Sequence, residues 1–106
     1  MNQDEILAEL QVLVEERNKV NQAQEELIEL TKNNREMYEQ MKEKILESSE
    51  PFTKLREYEL EEHRDGIRQK EIELLWEIER YRLTINIKRD ELVEQLRELA
   101  LKQEEK

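Results

Sequence analysis

The chain has 106 residues and a formal net charge of −10, with 43% of its residues charged and 36% hydrophobic. At this length, so few hydrophobic residues would leave a compact globule with too little buried apolar surface, whereas a coiled coil needs only a narrow apolar stripe. The negative charge disfavours nucleic acids and anionic membrane surfaces as partners, and the absence of cysteine excludes disulfides and thiolate metal sites.

The start of the chain, Met1-Asn2-Gln3-Asp4-Glu5, is polar and resembles no signal peptide. No run of residues approaches the roughly 18 apolar residues that a membrane span requires. The sequence therefore predicts an intracellular protein, cytoplasmic or nuclear and not secreted, with no membrane span. Low hydrophobicity and high charge are also typical of disorder, but the regular spacing of the apolar residues argues against it.

A first helix is predicted from Asn2, which can cap its amino end with Glu5 three residues further on. Apolar residues then follow in 4–3 spacing and form a heptad seam of two interleaved rows. One row contains Ile6, Leu13, Val20, Leu27, Asn34, Met41, Ser48 and Leu55, and the other contains Leu10, Arg17, Gln24, Thr31, Tyr38, Ile45 and Phe52. The polar members of the second row can fix register and partner. Alternatively, the stripe is wider and includes Val14, Ile28 and Leu30 in a multi-helix packing.

The segment Ser48-Ser49-Glu50-Pro51 is the strongest break in the pattern, because proline is tolerated in the first turn of a helix but not in its interior. We predict a single helical domain over residues 1–106, with helices over 3–47 and 51–104 and a turn over 48–50. The heptad phase runs through the break unchanged, so one continuous kinked helix is the alternative.

The second half is more ambiguous. Residues 56–71 carry a weak apolar pattern, and Asp65-Gly66 marks a potential second break. Apolar residues of the last third spread over more than one face, which is typical of a helix with several neighbours. Residues 81–88 alternate between apolar and polar in the manner of a strand, but no turn residues flank them and no second strand could pair with them, so we predict helix.

The sequence lacks the residue types and motifs from which a catalytic site could be built. His63 is the only histidine, which excludes a triad and a histidine-rich metal site, and Leu60 stands where a Glu-x-x-His motif would need glutamate. We expect His63 to face solvent beside Glu59. No catalytic, cofactor-binding or metal-binding residue is predicted, and we expect no enzyme activity and no small-molecule substrate. The basic clusters 80–82 and 88–89 could contact an acidic partner, but the acidic first helix could also neutralise them.

The fold class predicted is all-α: two long helices in a coiled-coil helical hairpin, elongated and oligomeric. The alternative is one kinked helix in a parallel coiled-coil dimer. Pairing about the turn sets Ile6 opposite Val93 and leaves the second helix uncovered past about residue 97. Five residues of the second helix are predicted to bind a partner: Trp76, Leu92, Leu96, Leu99 and Leu101. Trp76 could instead lie in the core, as large aromatic residues commonly do.

The predicted function is that of a non-catalytic coiled-coil interaction subunit or adaptor that organises a larger complex. Its partners would be other helical proteins or further copies of the chain, because an apolar helical stripe packs best against another helix. The alternative is a chaperone-like helical clamp that holds a client protein.

Overall fold

The computed structural model describes residues 1–48 and 51–104, which form two α-helices. Helix α1 spans Gln3–Glu47 and helix α2 spans Thr53–Glu104. Residues that come later in α1 contact residues that come earlier in α2, so the two helices are antiparallel. The predicted helical hairpin is confirmed, and the continuous kinked helix is wrong. Residues 81–88 are helical, as predicted.

The amino end of α1 is capped as the sequence predicts. The Asn2 side-chain oxygen accepts a hydrogen bond of 2.9 Å from the Glu5 amide, and the Asn2 carbonyl accepts one of 3.1 Å from the Ile6 amide. Asp4 and Glu5 place negative charge in the first turn, where the helix dipole favours it. At the other end of α1, the Ser48 amide donates to the Ile45 carbonyl at 3.2 Å.

The connection between the helices is longer than predicted. Helix α2 begins at Thr53, so Pro51 precedes the helix by two residues, and the predicted turn residues Ser49 and Glu50 lie outside the described residues. Phe52 has a φ of 71°, in the left-handed region, and its carbonyl accepts a hydrogen bond from the Arg56 amide. The Phe52 and Leu55 side chains are exposed, so the prediction that the heptad seam continues through them is wrong.

Replacing Phe52 with glycine is expected to stabilise the protein by about 1 kcal/mol. A left-handed backbone costs a residue with a Cβ roughly 1–2 kcal/mol, and glycine avoids this cost but loses part of the gain through its greater freedom in the unfolded chain. Urea denaturation followed by circular dichroism measures the change. Phe52→Ala is the matched control, since it removes the same ring but keeps the Cβ. Equal stability of the alanine and glycine variants would show that the backbone conformation is not the cause.

Helix α2 continues through residues 56–71, so the potential break at Asp65-Gly66 is absent. A Cβ built on Gly66 would meet nothing within 4 Å. We therefore expect Gly66→Ala to raise the free energy of unfolding by about 0.5–1 kcal/mol, the penalty of glycine in a helix interior. Thermal denaturation tests this expectation, and a decrease in the melting temperature would indicate that the helix is locally distorted at this position.

The hairpin comprises two compact units. The first unit contains Met1–Ala23 and Glu77–Lys106, and the second contains Gln24–Trp76. In the first unit the core consists of four buried residues, with four partly buried residues packed against them. The buried residues are Ile6, Leu13, Ile85 and Leu92, and the partly buried ones are Leu10, Val20, Leu96 and Leu99. All α1 members of this core belong to the predicted heptad seam.

In the first unit, α2 turns a single 4–3 row toward α1. These residues are all buried or partly buried: Ile78, Arg82, Ile85, Arg89, Leu92, Leu96 and Leu99. Other large apolar residues of the same segment, Tyr81, Leu83 and Ile87, are exposed. The prediction that apolar residues occupy more than one face of this helix is therefore correct.

The second unit has a polar interior. Tyr38 and Glu71 are buried, and the Asn34 side-chain amide donates a hydrogen bond of 3.2 Å to Glu71 Oε1. The Tyr38 hydroxyl and His63 Nδ1 share a hydrogen bond of 2.6 Å. Lys42 Nζ lies 3.6 Å from Glu57 and 3.5 Å from Glu61. Polar pairs thus link the two helices at several levels of this unit's seam.

Candidate interaction groove

Much of the apolar surface remains exposed after the hairpin has formed. Among the described residues, five hydrophobic side chains are buried, whereas nineteen large hydrophobic side chains are exposed. Scattered exposed apolar residues are normal, but contiguous ones mark interaction surfaces. The first unit contains such a contiguous set.

Two rows of residues line a groove between α1 and α2 of the first unit. The α1 row consists of Gln3, Leu7, Leu10, Val14 and Arg17, and the α2 row consists of Asn86, Arg89, Val93, Leu96, Ala100 and Gln103. Both rows have the 4–3 spacing of one helix face. We call this surface the unit-1 groove.

The unit-1 groove contains two cavities. One has a volume of about 230 Å³ and lies between Leu7 of α1 and Leu96 and Ala100 of α2. The other has a volume of about 250 Å³ and lies between Val14 of α1 and Val93 of α2. Both cavities border residues of the hairpin core, namely Leu99 in the first and Leu10, Leu13 and Ile85 in the second.

The sequence positions the groove beside the seam. Leu7 and Val14 each follow a buried seam residue, Ile6 and Leu13, so they lie at the margin of the interface between the helices. Leu7 is 47% exposed and Val14 is 40% exposed. The hairpin leaves a large part of both side chains uncovered, so both remain available to another helix.

One end of the groove is positively charged, although the chain carries a net charge of −10. Arg17 and Arg89 line the same cavity. The Arg89 guanidinium contacts the neighbouring Asp90 carboxylate at 3.2 and 3.3 Å. At the other end the lining residues Gln3 and Gln103 are neutral. The groove is therefore asymmetric in charge along its length.

The five residues predicted to bind a partner have different environments. Leu96 and Leu99 line the groove and also pack against the core. Leu92 is only 4% exposed and belongs to the core itself, which leaves it little surface for a partner. Leu101 is 59% exposed and lies outside the groove. Trp76 belongs to the second unit and is 63% exposed, so the alternative of a core tryptophan is wrong.

The last turns of α2 are covered more than the predicted register implies. Leu99, Ala100 and Gln103 line a cavity together with Gln3 and Leu7 of α1. Gln3 and Leu7 thus lie near residues of α2 that are about one helical turn or more beyond those expected opposite them. The premise that α2 is uncovered past about residue 97 is therefore wrong.

Sequence reasoning missed Leu7 of the groove, whereas Val93 and Ala100 lie between Leu92 and Leu101, the ends of the segment predicted to bind a partner. Val14 was included only in the alternative of a wider apolar stripe. The available signal was the heptad spacing of Leu7 and Val14 directly after two seam residues.

The basic cluster at residues 80–82 contacts α1, and its neutralisation by the acidic first helix stays a prediction. The Arg82 guanidinium donates a hydrogen bond of 3.1 Å to the Asn21 side-chain oxygen and forms an ion pair with Glu79. The Tyr81 hydroxyl lies 3.5 Å from a Glu16 carboxylate oxygen. These contacts engage part of the cluster within the chain.

No described group of three His, Asp or Glu side chains is arranged to hold a metal ion. His63 was expected to face solvent beside Glu59. It is exposed, and its ring Nδ1 shares a hydrogen bond with the Tyr38 hydroxyl. The pKa of Tyr58 is raised above its ordinary value of 10.0, because its hydroxyl donates a hydrogen bond of 2.7 Å to Glu62 and the carboxylate charge opposes ionisation.

Within the described chain, neither helix has an apolar stretch long enough to cross a membrane.

Comparison of the chain with protein-family models, curated proteins and solved structures found no match. The function proposed below therefore depends on the geometry and charge of the chain itself.

Proposed function

We propose that this chain is a non-catalytic coiled-coil subunit or adaptor that binds other helices and thereby organises a larger complex. The observation that supports the proposal is the unit-1 groove, an apolar surface left open beside a seam that has already formed. Burial of apolar surface contributes about 25 cal/mol per Å². A helix docked in the groove would gain this contribution without disturbing the hairpin core.

The small hydrophobic core of the hairpin is a second reason to expect association with other helices. A two-helix hairpin buries only one stripe per helix, and the five buried hydrophobic residues of the described chain make a small core. Association with further helices is the common way in which such chains gain stability. We expect the assembled state to be the functional one.

A chaperone-like clamp is the second candidate, and one feature of the second unit favours it. An open cavity of about 580 Å³ is lined there by Met37, Met41, Ile45 and Leu60. Methionine side chains are flexible and adapt to varied apolar partners. A clamp would suppress aggregation of an unfolded client, and Met37→Glu would abolish that suppression. Absence of suppression at equimolar chain would exclude this candidate.

The proposed function predicts a complex of defined stoichiometry. The purified chain should be strongly helical by circular dichroism. At high micromolar concentration, or after capture of a partner from cell extract, sedimentation equilibrium should give a mass above the 13.1 kDa of the monomer. The Val14→Glu variant should capture less of such a partner from cell extract, because it places a charge in the apolar groove. A chain that remains monomeric and captures no protein in stoichiometric amount contradicts the proposal.

A further inference from the structure

We propose that the unit-1 groove binds a third helix with a defined pattern: apolar side chains one heptad apart and an acidic side chain at the arginine end of the groove. This inference rests on the proposed function and specifies the chemistry of the partner. The occupant is an amphipathic helix of another protein, and the product is a three-helix coiled coil in the first unit.

The spacing of the two cavities matches a helix. Leu7 and Val14, which border different cavities, are seven residues apart on α1. Seven residues of helix advance by about 10.5 Å. A third helix running alongside α1 repeats its own side chains at the same interval. Two apolar residues one heptad apart can therefore enter both cavities, as knobs enter holes in a coiled coil.

The cavities are large enough for such side chains. An apolar cavity of about 150 Å³ accommodates benzene. The two cavities of the groove, at about 230 and 250 Å³, can accept leucine, methionine or phenylalanine. Their walls are supplied mainly by leucine, isoleucine and valine, so a polar knob would lose its hydration without gaining partners.

The charge of the groove specifies the acidic residue. Arg17 and Arg89 line one cavity, and two like charges that share a cavity would repel each other. Asp90 lies beside Arg89, but the described chain supplies Arg17 with no carboxylate. A partner carboxylate near the cavity would pair with Arg17 and reduce the repulsion. Guanidinium groups suit this role because they bind carboxylates in a planar, two-point geometry.

The test uses the full chain and two synthetic helical peptides of about four heptads. The first peptide has leucines one heptad apart, a glutamate one turn beyond each, and only alanine and glutamine elsewhere. The second has lysine in place of each glutamate. Fluorescence anisotropy should show that the glutamate peptide binds at least about tenfold more tightly. The net charge of −10 alone predicts the opposite order, so this comparison isolates the local effect of the arginines.

Variants locate the binding surface. Val14→Glu and Ala100→Glu, on opposite walls of the groove, should each weaken binding of the glutamate peptide by about tenfold or more. Leu83→Glu is the matched control, because Leu83 is an exposed apolar residue of the same unit that lies outside the groove. It should leave binding unchanged. The Arg17→Glu/Arg89→Glu variant should reverse the preference and bind the lysine peptide more tightly. Circular dichroism of each variant verifies that the hairpin remains folded.

Three outcomes would overturn the inference. Equal binding of the two peptides would remove the acidic requirement. Loss of binding in Leu83→Glu but not in Val14→Glu would place the partner on another face and leave the proposed function intact. Self-association of the parent chain that disappears in Val14→Glu would show that a second copy occupies the groove. Failure of the proposed function itself would differ from all three, because no helix would then associate with the chain on any face.

Discussion

Replacing Leu92 with alanine is expected to lower the free energy of unfolding by about 2–5 kcal/mol, the range for truncating a buried leucine. Leu92 is 4% exposed and packs with Ile6, Leu13 and Ile85 in the core of the first unit. Because this core is small, its neighbours can contribute little compensation. Urea denaturation followed by circular dichroism measures the loss, and the variant should unfold at clearly lower urea than the parent.

Leu101→Ala is the matched control, since it makes the same change on the same helix at a residue that is 59% exposed. Exposed substitutions usually alter stability by less than about 0.5 kcal/mol. The pair thus separates a core leucine from a surface leucine, although both were predicted to bind a partner. Similar losses in the two variants would mean that Leu101 is also buried, for example in an assembled state, and that the hairpin alone does not define the core.

Much of α1 could be predicted because its apolar residues keep one spacing over many turns. Asn2 supplied a recognisable cap, and Ile6, Leu13 and Tyr38 are buried where the heptad places them. The phase fails at Met41, which is exposed, and again at the connection, where Phe52 adopts a left-handed conformation without being glycine. That conformation has no sequence signature, since most positions with positive φ are marked by glycine or asparagine.

The seam of α2 could not be predicted from its composition. Its inward row contains Arg82 and Arg89, whereas Leu83 and Ile87 lie outside. A search for apolar residues in 4–3 spacing therefore finds competing faces. The inward face is selected by packing against α1, which is information about the tertiary structure rather than about the local sequence.

The candidate site was predicted in part. Leu96 and Leu99 were identified from their apolar spacing near the end of α2, and both line the unit-1 groove. The α1 wall of the groove was predicted incompletely, since Leu10 and Arg17 belong to the predicted seam but Leu7 was missed. Which α2 residues lie opposite this wall depends on the register between the helices. The longer connection shifts that register by about one turn relative to a turn over 48–50. A small shift of this kind decides which residues face each other across a groove.

The second large effect concerns the polar layer formed by Asn34 and Glu71 in the second unit. Replacing both residues with leucine is expected to raise the free energy of unfolding by about 1–4 kcal/mol, because well-packed apolar residues often stabilise more than a buried polar pair. Glu71 is 8% exposed and accepts a 3.2 Å hydrogen bond from the Asn34 amide. The leucine pair would remove the cost of desolvating the carboxylate and would continue the apolar seam.

Each single replacement should instead lower the free energy of unfolding. Asn34→Leu leaves the buried Glu71 carboxylate without its amide donor, and Glu71→Leu leaves the amide without its acceptor, at a cost of about 1–3 kcal/mol in each case. A double-mutant cycle in urea would then show strong coupling between the two positions. If the double variant is less stable than the parent, the polar layer contributes more to stability than an apolar one would.

The stabilised double variant should also be less specific. A polar residue at one seam position favours the register and the number of helices in which it finds its partner, at a cost in stability. With leucine at both positions, slipped pairings no longer leave a buried polar group unsatisfied. We therefore expect sedimentation velocity to show additional oligomeric species. We also expect a broader distribution of distances between spin labels at residues 30 and 74. Because the sequence contains no cysteine, one labelled cysteine can be introduced in each helix. A double variant that is more stable and still gives one narrow distance would show that the apolar seam and the turn suffice to fix the register, and that the polar layer serves another purpose.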